Sequence, residues 1–362
     1  MYTEIVKIIE GGLNQDPKKV QSYAKLLAKK MQEDGNDKFA IKINNVIKNI
    51  KGTPVYKDEL FTAPVDNETR LNIANISLPT DINLNIKLSE STETSIREFV
   101  QMVNAKDKIN SLGFDMHSSI LLYGPPGCGK TSIAQHIARE LDLPLVTARF
   151  DSLISSLLGS TSKNIRKLFD YCNSRPCILF LDEFDAIAKA RDDSHELGEL
   201  KRVINSLLQN IDDFTQNNIL IAATNHENLL DKAIWRRFEK VIEISKPRTS
   251  EILDLVTLFV SGFENDFGHD SKKLNIFATE LDGLSHSEIK KIIRNTAAKS
   301  IIKGNSKVGF ESILLETFLY KNNNSYDLDR VVKYLYANSI PQSLIKDTLN
   351  VSIRQVRNIL NP

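Results

Sequence analysis

The sequence predicts an α/β fold, a parallel sheet covered by helices on both faces, followed by an all-helical region. Three observations carry this. From Ser119 onward, short apolar runs at Ile120–Tyr123, Leu145–Phe150, Cys177–Leu181, Ile219–Thr224 and Val241–Ile244 alternate with stretches of helical periodicity, the pattern of strands buried on both faces. The first run empties into Gly124-Pro125-Pro126-Gly127-Cys128-Gly129-Lys130-Thr131, which is too rich in glycine and proline to continue a strand or helix. After Pro247 the strand-like runs cease and apolar residues recur at helical spacing.

In chain order, Asp16-Pro17 places a capping acid before a proline at a first helical position, and Val20, Tyr23, Ala24, Leu27 and Met31 follow at helical spacing. Residues 1–51 therefore read as a small helical domain. Its ten lysines and no arginine face six acids, and such lysines belong on a solvated helix face. Residues 52–95 carry Pro54, Pro64 and Pro79 among scattered Asn, Thr and Ser, an extended linker lying against the next domain. Residues 96–247 are the α/β domain. Residues 248–321 are a helical lid, in which Ser285 and Glu288 form a capping box ahead of the stripe Ile289, Ile292, Ile293, Ala297 and Ile301.

Residues 326–362 follow the polar break Asn322-Asn323-Asn324-Ser325. With Gln342 as the first position of a helix-turn-helix, Ile345, Leu349, Val351, Val356 and Ile359 take the apolar positions. Asn350 falls at the left-handed turn, Ser352 caps the second helix, and Lys346 stands where alanine is usual. That second helix would expose Arg354, Gln355, Arg357 and Asn358, able to meet phosphates and base edges of DNA. A three-helix bundle used for packing or for a protein partner fits the same residues.

Composition limits the partners. Lys plus Arg at 47 against Asp plus Glu at 46 leaves +1, so no global field attracts nucleic acid or an anionic membrane, and any such partner must meet a local patch. No apolar stretch approaches a membrane span, and Met1-Tyr2-Thr3-Glu4 lacks an export signal; the expected location is the cytoplasm, with no membrane partner. Cys128, Cys172 and Cys177 have neither zinc spacing nor disulfide density and read as reduced thiols.

The chemistry begins at the glycine-rich turn. Glycines at this spacing let backbone N–H groups face phosphate oxygens while the following helix, with Ile133, Ala134, Ile137, Ala138 and Leu141 on one face, presents its free amides and positive dipole end. The set Gly124, Pro125, Pro126, Gly127, Cys128, Gly129, Lys130, Thr131 and Ser132 is thus a site for the phosphates of ATP, with Lys130 on the β and γ phosphates. Thr131 offers a hydroxyl to Mg2+. About fifty residues on, Ile178-Leu179-Phe180-Leu181 ends in Asp182-Glu183, expected at the lip of a neighbouring strand. There Asp182 holds Mg2+ mainly through its waters, while Glu183 orients and deprotonates the attacking water. Asn225, ending the next strand, can sense the γ-phosphate. Arg236 and Arg237 close a short helix and supply planar, permanently charged donors for the transferring phosphoryl group; two adjacent arginines are also what surface charge looks like. Cys128, between two glycines, is a small filler.

Gly124 to Thr131, Phe180 to Asp185, Asn225 and the Asp231 to Phe238 segment together resemble the AAA ATPases of the AAA+ superfamily, over residues 95 to 305. The adjacent Arg236-Arg237 is similar to the meiotic, spastin-like clade, and the resemblance implies that both arginines reach into a neighbouring subunit's site. It further implies a hexameric homo-oligomeric ring that remodels or threads a protein. Leu157, within Ser155-Ser156-Leu157-Leu158-Gly159, stands where the family has a pore aromatic. Gly283-Leu284-Ser285-His286 replaces the usual Gly-Phe-Ser-Gly, so no arginine is expected there, and His286 reads as a helix-start residue. The helical N-terminal region and tail also resemble stand-alone bacterial AAA proteins encoded beside a subtilisin-like protease in antiviral defence pairs.

Overall fold

The computed structural model describes residues 2–13, 16–49, 64–65, 72–82, 86–149, 158–186, 197–215, 218–268, 270–304 and 307–361. Contacts divide the chain into two compact units: Met1–Leu84, Glu90–Gly124 and Lys130–Ile244 form the first; Asn85–Ser89, Pro125–Gly129 and Ser245–Pro362 form the second.

The first unit opens with helices α1 (Tyr2–Leu13), α2 (Pro17–Glu33) and α3 (Asp37–Asn49). Asp16 caps α2, its Oδ1 accepting the Lys19 N–H at 3.0 Å, with Pro17 at the first helical position. Not all the lysines are solvated. Lys7 and Lys19 are buried where α1 meets α2, and both pair with Glu10, at 3.5 and 2.9 Å. Their methylene stems supply apolar cover there while one carboxylate answers both charges. Burial first, then repulsion from Lys19, pushes the Lys7 ammonium below its usual range.

The sheet has six strands in the order β1 (Asn75–Ser77), β3 (Leu145–Arg149), β4 (Ile178–Asp182), β5 (Ile219–Thr224), β2 (Ser119–Tyr123) and β6 (Lys240–Glu243). Five run parallel, as the alternation predicted. The sixth corrects the reading of residues 52–95 as wholly extended linker: β1 pairs antiparallel with β3, Asn75 opposite Thr147 and Ser77 opposite Leu145, and α4 (Glu90–Ser111) begins within the same stretch. Most of that stretch lies outside the described residues. A second correction concerns strand order. The acidic strand β4 is not the neighbour of β2, because β5 lies between them. All six β5 residues are buried, which suits a strand paired on both sides, whereas β1 has no buried residue and takes an edge.

Helices α5 (Lys130–Glu140), α6 (Leu158–Asn173) and α7 (Leu197–Thr215) complete the framework. The α5 stripe Ile133, Ala134, Ile137 and Ala138 is fully buried, as its periodicity required. Edge-to-face rings close the apolar core, Phe169 on Phe214 at 5.3 Å and Phe184 on Phe238 at 5.9 Å between centroids. All three cysteines are buried, and none forms a disulfide.

Between β5 and β6 the first unit carries a 3-10 turn (Glu227–Leu229) and one short α-helix, α8 (Lys232–Trp235). The second unit comprises α9 (Thr249–Val260), β7 (Glu264–Asn265), α10 (Ser271–Glu280), α11 (His286–Ile302), β8 (Lys307–Val308), α12 (Phe310–Lys321), α13 (Leu328–Ala337), α14 (Gln342–Leu349) and α15 (Ile353–Leu360). The strands do not wholly stop after Pro247, since β7 and β8 pair in parallel over two residues each. The capping box at α11 is present: Glu288 Oε2 accepts the Ser285 N–H at 2.7 Å, and Ser285 Oγ accepts the Glu288 N–H at 3.4 Å. One apolar cluster runs from Ile252 through Ile292 and Leu314 to Val331, Ile345 and Val356. Residues 326–362 thus share a core with the helices before them, and Tyr334 Oη donates to Glu280 Oε2 at 2.7 Å across that seam. Among the described residues, no helix is long and apolar enough to cross a membrane.

Candidate active site

In a parallel sheet the carboxyl ends of the strands converge on one edge, where loops can place reactive groups. Here register does the placing: Tyr123 lies opposite Thr224 and Glu243, and Arg149 opposite Asp182. Leu181 lies opposite Ala222, so β4 stops one residue short of β5, and the five strand ends fall within one residue of one another.

The loop leaving β2 needs glycine for a local reason. Gly124 has φ +138°, and a Cβ there would stand 2.2 Å from the Ile244 carbonyl oxygen, an impossible approach. Gly127 has φ +75°, and its Cβ would meet Ser287 Oγ at 2.2 Å; its carbonyl accepts the Ser287 N–H at 3.0 Å. Pro125–Gly129 belongs with the helical unit, so the loop tip is fastened to the first turn of α11. Cys128 is buried, its thiol 3.9 Å from the Pro126 carbonyl, in keeping with a filler. His286 begins α11; its Nδ1 is buried with no hydrogen-bond partner among the described residues, and burial pushes its pKa below the usual imidazole range.

Lys130 is buried at the start of α5 and donates from Nζ to the Gly124 carbonyl at 2.6 Å. Thr131 Oγ1 donates to Asp182 Oδ2 at 3.1 Å. Asp182 Oδ1 accepts the Glu183 N–H at 3.0 Å, fixing the acidic pair in place. A hydroxyl and a carboxylate brought together in this way form the hard-oxygen donor set that Mg2+ prefers.

Glu183 has φ +56° although it is not glycine. Left-handed backbone at such a residue costs on the order of 1 kcal/mol and recurs at functional sites. Its carboxylate meets Arg149, whose Nη2 donates to Oε1 at 3.2 Å and Oε2 at 3.3 Å. Sequence reasoning missed Arg149. It reads as an ordinary polar strand end, and only the register with Asp182 brings it to the acidic pair.

Asn225 leaves β5 beside the same edge. Asp185, buried at 3% exposure, accepts from Thr224 Oγ1 at 3.2 Å and from the Asn225 backbone N–H at 3.4 Å. It is an anchor for the Asn225 backbone. The short α8 is capped by Asp231, whose Oδ1 accepts the Ile234 N–H at 2.9 Å. Trp235 ties α8 to β2, its ring edge-to-face with Tyr123 at 5.3 Å. The two arginines that follow differ. Arg236 is exposed and has no side-chain partner among the described residues. Arg237 Nε contacts Asp212 Oδ1 at 3.0 Å and Oδ2 at 3.2 Å, and Nη1 donates to the Ala233 carbonyl at 2.7 Å. It is held within its own chain. Ser155 to Leu157, with the pore position, lies outside the described residues.

A glycine-bound loop on a parallel sheet, a lysine within it, and a threonine bonded to the first of two strand-end acids define a P-loop nucleotide-binding core. Residues 120–246 match the ATPase family associated with various cellular activities (AAA), and the chain belongs to that family, within the AAA+ superfamily. The chain is 40% identical over 223 residues to the AAA family ATPase y4kL of Sinorhizobium fredii, covering 62% of this chain and 66% of the relative. It is 29% identical to the proteasome-activating nucleotidase of Sulfurisphaera tokodaii, over 66% of this chain and 63% of that protein. A putative cell division cycle ATPase of Plasmodium falciparum is 28% identical over 82% of this chain and 24% of its own length. The chain thus spans between about a quarter and two thirds of these relatives.

Proposed function

We propose that this protein hydrolyses ATP, using Mg2+, at sites shared between copies of itself in a hexameric ring, and uses the cycle to remodel a protein partner. The observation that carries this reading is the arrangement of the α/β unit's strand ends. The Thr131–Asp182 bond and the adjoining Glu183 are complete within one chain, whereas Arg236 is exposed with no side-chain partner among the described residues. A transition state that gathers charge on γ-phosphoryl oxygens needs such a guanidinium, and one exposed on this chain is available to a neighbour.

The Glu183 carboxylate takes a proton from the attacking water as its oxygen bonds to the γ-phosphorus, and the bridging bond to the β-phosphate breaks to release ADP. Thr131 and Asp182 would hold Mg2+, which when bound neutralises phosphate charge. Lys130 gives up the Gly124 carbonyl for phosphate oxygens. In the resting arrangement Arg149 occupies Glu183, so the base is engaged until that ion pair opens. A remodelling role draws on relatives named as a proteasome-activating nucleotidase and as the ATP-dependent zinc metalloprotease FtsH of Lancefieldella parvula.

Mixing two inactive variants tests the shared site. Glu183→Gln alone should bind ATP without turnover, and Arg236→Ala alone should be inactive. Mixed rings should regain activity, because an interface with both intact residues on its two sides forms only in the mixture. Normal turnover by Glu183→Gln, or no recovery on mixing soluble, assembled proteins, would overturn the proposal.

A further inference from the structure

We propose that α15 is a reader of duplex DNA, entering the major groove with Arg354, Arg357 and Asn358. Four features of the terminal helices support this, and none depends on ATP hydrolysis.

The first is geometry. α14 and α15 are joined by a three-residue turn, 350–352, in which Asn350 takes φ +53°, ψ +50°, and the Asn350 and Val351 N–H groups both donate to the Lys346 carbonyl. Ser352 caps α15, its Oγ accepting the Gln355 N–H at 3.2 Å while Gln355 Oε1 accepts the Ser352 N–H at 2.9 Å. The second helix of such a pair is the one that fits a major groove. The second feature is the orientation this forces. Ile345 and Val356 are fully buried against Val331, Val332 and Leu335, so the opposite face of α15 must point outward. Arg354, Arg357 and Asn358 are exposed there, with no side-chain partner among the described residues.

The third feature is charge. Residues 348–362 contain no Asp or Glu, and the nearest acid, Asp347, is paired with Lys346 at 3.3 Å. The modest charge of the whole chain therefore hides a segment in which Arg354 and Arg357 are matched by no acidic residue of their own helix or turn. The fourth is the lack of apolar anchors. No large hydrophobic of α15 is exposed, whereas protein interfaces centre on buried apolar or aromatic groups. Arginine and asparagine instead match the guanine and adenine edges of the major groove. RNA duplexes are disfavoured as partners, because their major groove is too deep and narrow to read.

The test is fluorescence anisotropy of the full-length protein without nucleotide, titrated into labelled 20-bp duplex DNA, duplex RNA and single-stranded DNA. Binding to duplex DNA should weaken as salt rises from about 50 to 200 mM, as expected when phosphate charge is neutralised. Arg354→Ala/Arg357→Ala should lose at least about tenfold in affinity, the range of one bidentate base contact, with unchanged circular dichroism and ATPase rate. Lys38→Ala/Lys42→Ala, removing equal charge from exposed positions of α3, should leave binding intact. A charge-reversed Arg354→Glu/Arg357→Glu protein provides a second, independent loss variant. No duplex binding at low salt, equal loss in the α3 control, unchanged affinity in both α15 variants, equal or tighter binding to RNA, or a protein partner lost in the α15 variants in place of DNA would each overturn the assignment.

Discussion

The two units use polar side chains in opposite ways. In the α/β unit they face one another at and just beyond strand ends: Thr131 on Asp182 and Arg149 on Glu183, partly exposed, and the buried Asp185 under Asn225. In the helical unit they mostly finish helices or tie them together, as Ser285 with Glu288 and Ser352 with Gln355 do, around one apolar core running from Ile252 to Val356. The contrast teaches that chemistry sits where several strands terminate together, since each contributes one side chain at a fixed register. Helices sharing a stripe give rigidity and an outer face.

That contrast breaks most readily at the strand ends. Arg236→Ala should lower turnover of the assembled protein by about 10³-fold or more, while Arg237→Ala should chiefly lower the melting temperature, because its guanidinium is spent on Asp212 and Ala233; steady-state rates and thermal melts of both variants separate the roles. Lys130→Ala should cost about 10²- to 10³-fold in turnover, the usual price of removing one preorganised charge donor, with nucleotide binding lost in calorimetry. In the helical unit, Ile345→Ala should destabilise by about 2–5 kcal/mol in a denaturant titration, without an equal loss of nucleotide affinity per folded molecule. The smallest effect belongs to Arg149→Ala. It frees Glu183 from a surface ion pair of about 0.2–1 kcal/mol, so single-turnover hydrolysis should rise by no more than about fivefold.

A pH measurement sharpens the comparison from the scaffold side. Lys106 of α4 is buried, with Nζ on the Thr215 carbonyl at 3.2 Å, and burial lowers its pKa to about 8. The unfolded chain keeps that lysine near its ordinary value, so between about pH 8 and 10.5 the unfolded state binds more protons. The contribution of this group to stability should therefore rise with pH across that window. Replacing it in Lys106→Met should flatten that part of the pH–stability curve.

What the sequence revealed was local. The glycine spacing, Asp182-Glu183, the Asp16 and Ser285 caps and the Asn350 turn each depend on residues within a few positions of one another, and such patterns survive reading one residue at a time. What it hid depends on distant pairing. β1 has three residues, too few to show a period, and its partner strand lies about seventy residues away. Arg149 becomes part of the site only through its register with Asp182. Lys7 and Lys19 looked solvated because Glu10, one turn from Lys7 on α1, reaches Lys19 only through the packing of α1 on α2, which also buries both lysines. The order β4–β5–β2 was equally out of reach, because short apolar runs state that a strand is buried and not which strands flank it.

The left-handed backbone at Glu183 narrows what can stand in for that residue. β-Branched replacements would strain the turn and confound a lost carboxylate with a shifted loop. Glutamine retains the side-chain length and asparagine tolerates the dihedral, so an engineer wanting a nucleotide-loaded but idle form should choose from those two and avoid valine or threonine.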